Sequence, residues 1–482
     1  MHVTWRRAGI VVLLAAIFVF YACTLRVGHI WDDDAAMYIL HARNIAEGRA
    51  YADTGYIFNP EYANLGPVAY PPGFPLLLAP IWATRGLDLN AMKMAGVAMF
   101  VVSLAFLYGL FRRYLEEAEC LVLAAVAGFC PLLWEHKDFV SSDLTFLAFL
   151  FAAMFAIDRA YSSGRPPQLR WAIPAGLLIA ATWAVRSVGI VLLPSLIAHD
   201  WLRGRRLSRF AAATCSLAIA MGVAQSVAIH SVGATPSLFR VDPHLAWVNV
   251  RAYLREFAMF WRAGEHPAVA WVFSKAVLVA AAWRFLDRMR PGNGPRITEL
   301  FLVFYAGVLL MYEPNEPRFL FPLFPLCMAL AIEGIGHLCR KLPGRIGMAV
   351  AGILVAAWGL GAAAEYRVLN WGAIRESFFD RDFLRVTDFV NHDTRESDIL
   401  LFRKPRMPCL LTGHRAATYA HAPGLGEFVR RLPVKYIVAA NEPAGTFVSD
   451  AEFLWPFINS HAHSLQLAYR NSGYSVYRIL GP

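Results

Sequence analysis

A chain of 482 residues could form several soluble domains, but 57% of its residues are hydrophobic, only 17% are charged, and the mean hydropathy is +0.44. That balance excludes an ordinary soluble enzyme and indicates a polytopic membrane protein. The formal net charge of +10 would suit a nucleic-acid partner, yet the arginines fall in short loops between apolar segments, which is a topology signal rather than a binding stripe.

Hydropathy predicts eleven spans, near residues 8–27, 91–111, 118–134, 142–158, 171–185, 188–202, 209–230, 268–284, 297–312, 319–337 and 346–364. Arg6-Arg7 ahead of the first could open a secretory signal, but with many spans to follow the segment reads as an uncleaved first helix. Arg186-Ser187 separates two spans so tightly that a sharp hairpin or a broken helix is expected there. If the spans alternate, Arg6-Arg7, Arg112-Arg113, Arg159 to Arg170, Arg203 to Arg209, Arg284 to Arg296 and Arg340 to Arg345 all face one side, the cytoplasm. The outer side then receives the loop 28–90, the short loop Glu135–Ser141, the loop 231–267 and the tail 365–482. The seven cysteines show no CxxC and no metal-ligand spacing, so no disulfide framework is implied.

Within the first outer loop, Asp32-Asp33-Asp34 puts three adjacent carboxylates at the edge of the membrane. Like charges so close repel, so a cation, water or a proton shared with a substrate must compensate them. Ala35 to Gly48 has helical spacing with Gly48 as its C-cap, so the triplet lies at a helix N-terminus. One Asp could be a plain N-cap, which leaves two unexplained. Tyr70-Pro71-Pro72-Gly73-Phe74-Pro75 cannot be a helix interior, and a short amphipathic helix is expected over Phe74 to Trp82.

The tail changes character. Phe378, Phe379, Phe383, Leu384, Val386, Phe389 and Val390 predict an amphipathic helix, Asp398–Lys404 and Lys435–Ala440 read as buried strands, and Gln466–Leu480 as a hairpin turning at Asn471-Ser472-Gly473. The expected fold is an α-helical polytopic membrane protein of about eleven transmembrane helices with a small C-terminal α/β extracytoplasmic domain. Its division is 1–364, carrying the outer loop 28–90, and 365–482.

The pattern Asp-x-Ala-x-Tyr-x-x-x-Ala-Arg-Asn-x-Ala-x-Gly, starting at Asp33 or Asp34, resembles the first loop of the GT-C superfamily, which includes protein O-mannosyltransferases and lipid A aminoarabinose transferases. Tyr70 to Leu77, Ser142-Asp143, Arg186-Ser187-Val188-Gly189 and Glu316-Pro317-Arg318 through Pro325 are similar too, so the resemblance covers most of residues 1–340. It implies an inverting membrane glycosyltransferase, hexosyl- or pentosyltransferring, that moves a sugar from a polyprenyl-phosphate donor to a lipid, glycan or protein acceptor at the outer face of the bacterial cytoplasmic (inner) membrane. By the same resemblance the base is the acid four residues before an aromatic, here Asp34 before Tyr38, with Asp33 the rival because the family's Asp-Glu is here Asp34-Ala35.

The resemblance also implies that Arg318 lies near the carrier phosphate, whose oxygens a guanidinium fits bidentately. Pro322 and Pro325 after it are expected to kink the span. Arg186 interrupts an apolar hairpin and Lys275 sits within a span, so both are further phosphate candidates; a cation at an interface or a helix–helix pair is the bland alternative. Tyr38, Tyr70, Asp143 and Glu316 are placed in the substrate pocket, though Asp143 could equally cap its helix. No cofactor is expected. His29, His41 and the Asp triplet leave a divalent metal open, but their irregular spacing is a poor metal signature. A lipid or glycolipid transporter is the alternative function, disfavoured by few midplane charges and no internal repeat.

Overall fold

The computed structural model describes residues 2–31, 34–59, 66–162, 166–229, 239–290, 294–374, 381–419, 425–441 and 450–480. Asp33 and Asp32, like Phe378 and Phe379, lie outside the described residues. In chain order the helices are α1 (His2–Cys23), α2 (Asp34–Ala46), α3 (Gly73–Arg85), α4 (Leu89–Phe111), α5 (Glu117–Gly128), α6 (Pro131–His136), α7 (Asp143–Ala160), α8 (Ala172–Val185), α9 (Leu192–Gly204) and α10 (Arg209–Ile229). They continue with α11 (Pro243–Glu256), α12 (Pro267–Met289), α13 (Ile297–Met311), α14 (Leu323–Cys339), α15 (Gly344–Val368), α16 (Arg381–Asp393), α17 (Arg406–Thr412), α18 (Leu425–Arg431) and α19 (Trp455–Ser460).

Helix occupies all eleven expected spans, with three modifications. The 118–134 segment is two helices, α5 and α6, because Pro131 has no N–H to continue the ladder and instead opens α6 at its first turn. The 188–202 segment begins as a 3-10 turn, Ser187–Val191, before α9, which is the broken helix expected after Arg186. Pro322 and Pro325 do not kink a continuous span: a 3-10 turn, Pro317–Leu320, precedes them and α14 starts at Leu323, so the prolines sit where missing N–H groups cost least.

The chain divides into two compact units, residues 1–25, 90–225 and 238–372 in one and residues 26–89, 226–237 and 373–482 in the other. In the helical unit, α4, α10, α12 and α15 are long and apolar enough to cross a membrane, and Ala8–Cys23, Leu169–Val185, Ile297–Met311 and Leu323–Cys339 are shorter apolar helices. Only 11% of the apolar window of α15 is buried, and apolar surface so exposed needs lipid rather than water around it. α7 is by contrast buried along nearly its whole length and packs on α8. Arg284, Arg288 and Arg296 converge on Glu333 of α14, with Arg296 bidentate at 2.9 and 3.2 Å, so the buried carboxylate is held by three guanidinium groups.

The second unit holds a six-stranded sheet in the order β1-β3-β2-β4-β6-β5, with β1 Tyr56–Ile57, β2 Ile399–Leu401, β3 Ala416–Ala417, β4 Val434–Ala440, β5 Leu465–Arg470 and β6 Tyr474–Ile479. The strands expected from the tail appear as β2 and β4, and the expected hairpin as β5 and β6. β1 comes from the loop 28–90 and pairs in parallel with β3, Tyr56 opposite Ala416 and Ile57 opposite Ala417. That pairing groups the loop with the tail, whereas the sequence division placed it with the helices. Ile399, Leu401, Phe428, Ile437, Leu454 and Ile458 form part of the sheet's core. The amphipathic helix expected near 378–390 is α16, and its buried Phe383 and Val386 are the apolar positions read from the sequence.

Candidate active site

α2 begins at Asp34, and Gly48 with φ of 68° ends its C-terminal turn as the sequence indicated. The helix is buried on nearly every side and packs on α3 and α17, so its side chains are held rather than solvated. Asp34 Oδ1 accepts a hydrogen bond of 2.6 Å from the Tyr70 hydroxyl and lies 3.5 Å from Nη1 of Arg406. Arg406 Nη1 also donates to the Tyr70 hydroxyl oxygen at 2.7 Å, and Nη2 donates to the Pro67 carbonyl at 3.2 Å. Its guanidinium lies over the Tyr56 and Tyr70 rings, 4.7 and 4.9 Å from their centroids. The Arg406 side chain is fully buried, whereas that of Asp34 is 27% exposed, so the carboxylate is the member of the pair that a substrate can reach.

Tyr70 is fixed at three points. Its backbone N–H donates to His41 Nε2 at 3.1 Å, its carbonyl accepts from the Tyr51 hydroxyl at 2.8 Å, and its hydroxyl binds Asp34. Burial pushes the Tyr70 hydroxyl far above its ordinary pKa, opposed by Arg406 and aided by Asp34, so it stays a donor. His41 Nδ1 bonds the Tyr51 carbonyl at 2.9 Å, and the ring stacks on Tyr51 with centroids 4.2 Å apart. Since Nε2 must accept from Tyr70, the imidazole is the neutral Nδ1–H tautomer. Burial lowers its pKa from 6.5 to about 4; the bond to Tyr51 opposes this and the Arg406 charge reinforces it. Both ring nitrogens are thus used by the protein, which removes His41 from the metal ligands weighed above. Among the described residues no group of three or more His, Cys, Asp or Glu is gathered for a metal. Tyr38 packs against Tyr70 and Phe74, with centroids 5.2 and 5.1 Å away.

The helical unit has its own charged cluster. Asp143, the first residue of α7, forms an ion pair with Arg186 through Oδ1 and meets His136 Nε2 at 3.2 Å through Oδ2. His136 Nε2 is also 2.8 Å from the Ser141 hydroxyl, and its ring packs edge-on to Phe321. Arg186 and Arg318 both lie over the Phe319 ring, 5.8 and 5.6 Å from its centroid. Arg318 is bound to Glu316, with Nε 2.5 Å from Oε2 and Nη2 3.3 Å from Oε1. Arg186, Arg318, Asp143 and Glu316 are therefore brought together around one ring. Lys275 is not: it lies exposed on α12 with its ammonium 4.9 Å from the centroid of Trp271, one turn away on the same helix.

Sequence reasoning missed Arg406 and Lys404. Arg406 and Lys404 belong to the run Arg403-Lys404-Pro405-Arg406, three cations within four residues of the tail. That run was the available signal. Lys404 Nζ donates to the Trp31 carbonyl directly before the Asp triplet.

Residues 69–230 match the family described as dolichyl-phosphate-mannose-protein mannosyltransferase. No curated protein sequence matches the chain. In fold it is similar to ArnT from Cupriavidus metallidurans, in a crystal structure bound to undecaprenyl phosphate, at 12% identity and a TM-score of 0.58 over 97% of each chain. It is similar also to the oligosaccharyltransferase AglB from Archaeoglobus fulgidus, in complex with an inhibitory peptide and a dolichol-phosphate, at 13% identity and a TM-score of 0.57 over 90% of this chain and 69% of that one. The chain therefore shares its fold, a bundle of apolar helices with a small C-terminal sheet, with these two structures, and residues 69–230 carry the family match.

Proposed function

We propose that this protein transfers a sugar from a polyprenyl-phosphate-linked donor to an acceptor hydroxyl at the outer face of the cytoplasmic membrane, with inversion at the anomeric carbon. The observation that carries the reading is Asp34, a partly exposed carboxylate at a helix start whose Oδ1 is held by Tyr70 and Arg406. Asp34 takes the acceptor proton as the hydroxyl oxygen attacks the anomeric carbon, and the polyprenyl phosphate leaves with the bonding electron pair. Asp33, adjacent in sequence, is the alternative base.

Charge on the leaving phosphate is met by Arg318. Its partner Glu316 is 45% exposed, so this pair is worth little in water and a phosphate can replace the carboxylate. Arg186 pairs with Asp143, which is only 5% exposed; that pair stays together and orients Phe319 and Arg318 rather than opening. Tyr38 and Tyr70 line the pocket beside the base. The undecaprenyl phosphate of the ArnT structure and the dolichol-phosphate of the AglB structure support a carrier of this chemical class. The cytoplasmic N-terminus and extracytoplasmic tail follow from the basic loops.

The test is release of undecaprenyl phosphate from undecaprenyl-phosphate-linked sugars by the purified protein in nanodiscs. Asp34→Asn should lower turnover by about two to four orders of magnitude while leaving expression and melting unchanged. Full turnover by that variant sinks the assignment of the base. Carrier movement across vesicles with no sugar transfer would favour a transporter instead.

A further inference from the structure

The tail contributes a side chain to this site. α17 belongs to the same compact unit as α2, and through it a fully buried arginine from near the C-terminus reaches the carboxylate at residue 34. We propose that Arg406 is a positioning residue for Asp34, holding the carboxylate ionised and in one orientation both directly and through the Tyr70 hydroxyl. The proposal rests on the reading of Asp34 as the base.

Geometry separates this role from simple packing. The Arg406 Nη1 atom is shared between the Tyr70 oxygen at 2.7 Å and Asp34 Oδ1 at 3.5 Å, while the Tyr70 hydroxyl proton is spent on Asp34 at 2.6 Å. The three groups form a closed triangle in which the cation stabilises the anionic form of the acid twice, once by its charge and once by polarising the phenol. A buried guanidinium also needs its remaining donors satisfied, and Pro67 supplies a carbonyl at 3.2 Å. Two attachments keep the tail in register with the loop: β1 pairs with β3, and the Asn59 side chain donates to the Thr418 carbonyl at 3.1 Å. Lys404, two residues before Arg406, fastens the chain just ahead of the triplet through the Trp31 carbonyl. A general base must be ionised before the acceptor arrives and aimed when it does. Arg406 supplies both conditions from a part of the chain about 370 residues away in sequence.

The titratable and charged groups around Asp34 are Tyr38 and His41 of its own helix, Tyr70 before α3, Tyr51 and Tyr56 of the loop, and Lys404 and Arg406 of the tail, with Asp32 and Asp33 adjacent in sequence. The experiment reads Asp34 without needing a substrate. The intact protein in nanodiscs is treated with a water-soluble carbodiimide and glycinamide across a pH series. Labelling is quantified at Asp34 by fragment-ion mass spectrometry, which resolves Asp32 and Asp33 as internal comparators. Protonated carboxyls react, so Arg406→Gln should move half-labelling of Asp34 up by about one pH unit, and Arg406→Lys should restore most of it. Turnover of an undecaprenyl-phosphate-linked sugar should fall in kcat with little change in donor KM. Its acid limb should move in the same direction as the labelling.

Unmoved half-labelling in folded Arg406→Gln overturns the proposal, because a residue that only packs would not be read by the carboxyl. Should that variant fail to fold, Tyr70→Phe decides: it should raise half-labelling by a smaller step, and no change overturns the proposal. Full transfer by Asp34→Asn sinks the catalytic reading while leaving the labelling shift standing, so the two failures are distinguishable.

Discussion

Acidification should cost the candidate site stability through His41 as pH falls from about 6.5 to about 4. Folded His41 has a pKa of about 4 against an ordinary 6.5, because it is buried and because Arg406 is near, with the bond to the Tyr51 carbonyl opposing the shift. An unfolded chain binds this proton below about 6.5, whereas the folded one resists until about 4, so in that window the unfolded state carries more protons and stability rises with pH. The contribution is fully present above about 6.5 and is lost as pH falls through the window to about 4. At roughly 1.4 kcal/mol per pH unit it amounts to about 3 kcal/mol, a large part of the stability of a typical fold. The structural consequence is specific: a protonated His41 sets N–H against the Tyr70 N–H, so the residue that holds Asp34 loses its backbone anchor. The assay compares melting of the wild-type protein with His41→Asn in nanodiscs between about pH 7.5 and 4, together with exchange protection of the Tyr70 amide. Wild type should lose stability relative to the variant across the window. Parallel pH profiles for the two proteins would refute the reasoning.

Arg318→Ala should weaken undecaprenyl phosphate binding about tenfold or more, measured by scintillation proximity on purified protein, since a charge-assisted hydrogen bond contributes about 1.5–3 kcal/mol. Arg186→Met should destabilise by about 3–5 kcal/mol because it strands the buried Asp143 carboxylate. Adding Asp143→Asn should recover most of that loss, which a double-mutant cycle of melting curves checks. Gly189→Ala should cost about 1–3 kcal/mol, because a Cβ there would lie 2.6 Å from the Thr182 carbonyl carbon. The 3-10 turn after Arg186 tolerates that approach only with glycine, so phosphate binding should fall along with the melting temperature.

The spans were legible because the requirement to bury backbone hydrogen bonds in lipid writes long apolar segments into the sequence. The breaks were legible where proline or arginine interrupts them, at Pro131 and at Arg186. Pro322 and Pro325 show the limit of that reading, since a proline can kink a helix or start one and the choice depends on the preceding turn. In the tail, the runs of β-branched and aromatic residues marked β2, β4 and the β5–β6 hairpin. β1 and β3 were not legible, because two-residue strands carry no periodicity and exist only by pairing, β1 with β3 across the chain and β3 with β2.

The sequence by itself determined the membrane class, the helical segments, the small α/β tail and the place of the acidic triplet at a helix start, since each depends on local composition or on a spacing of a few residues. Only the tertiary structure decided what surrounds that carboxylate. Tyr70, His41 and Arg406 reach one another through a parallel strand pairing and the packing of α2 on α17, and contacts between residues 34 and 406 have no signature in either stretch alone. The same holds for Phe319 under Arg186 and Arg318, and for Lys275, whose charge marked it as a candidate and whose position on α12 sets it over Trp271 instead. A carboxylate can be recognised by its neighbours in sequence, but its charge state and aim are set by neighbours in space.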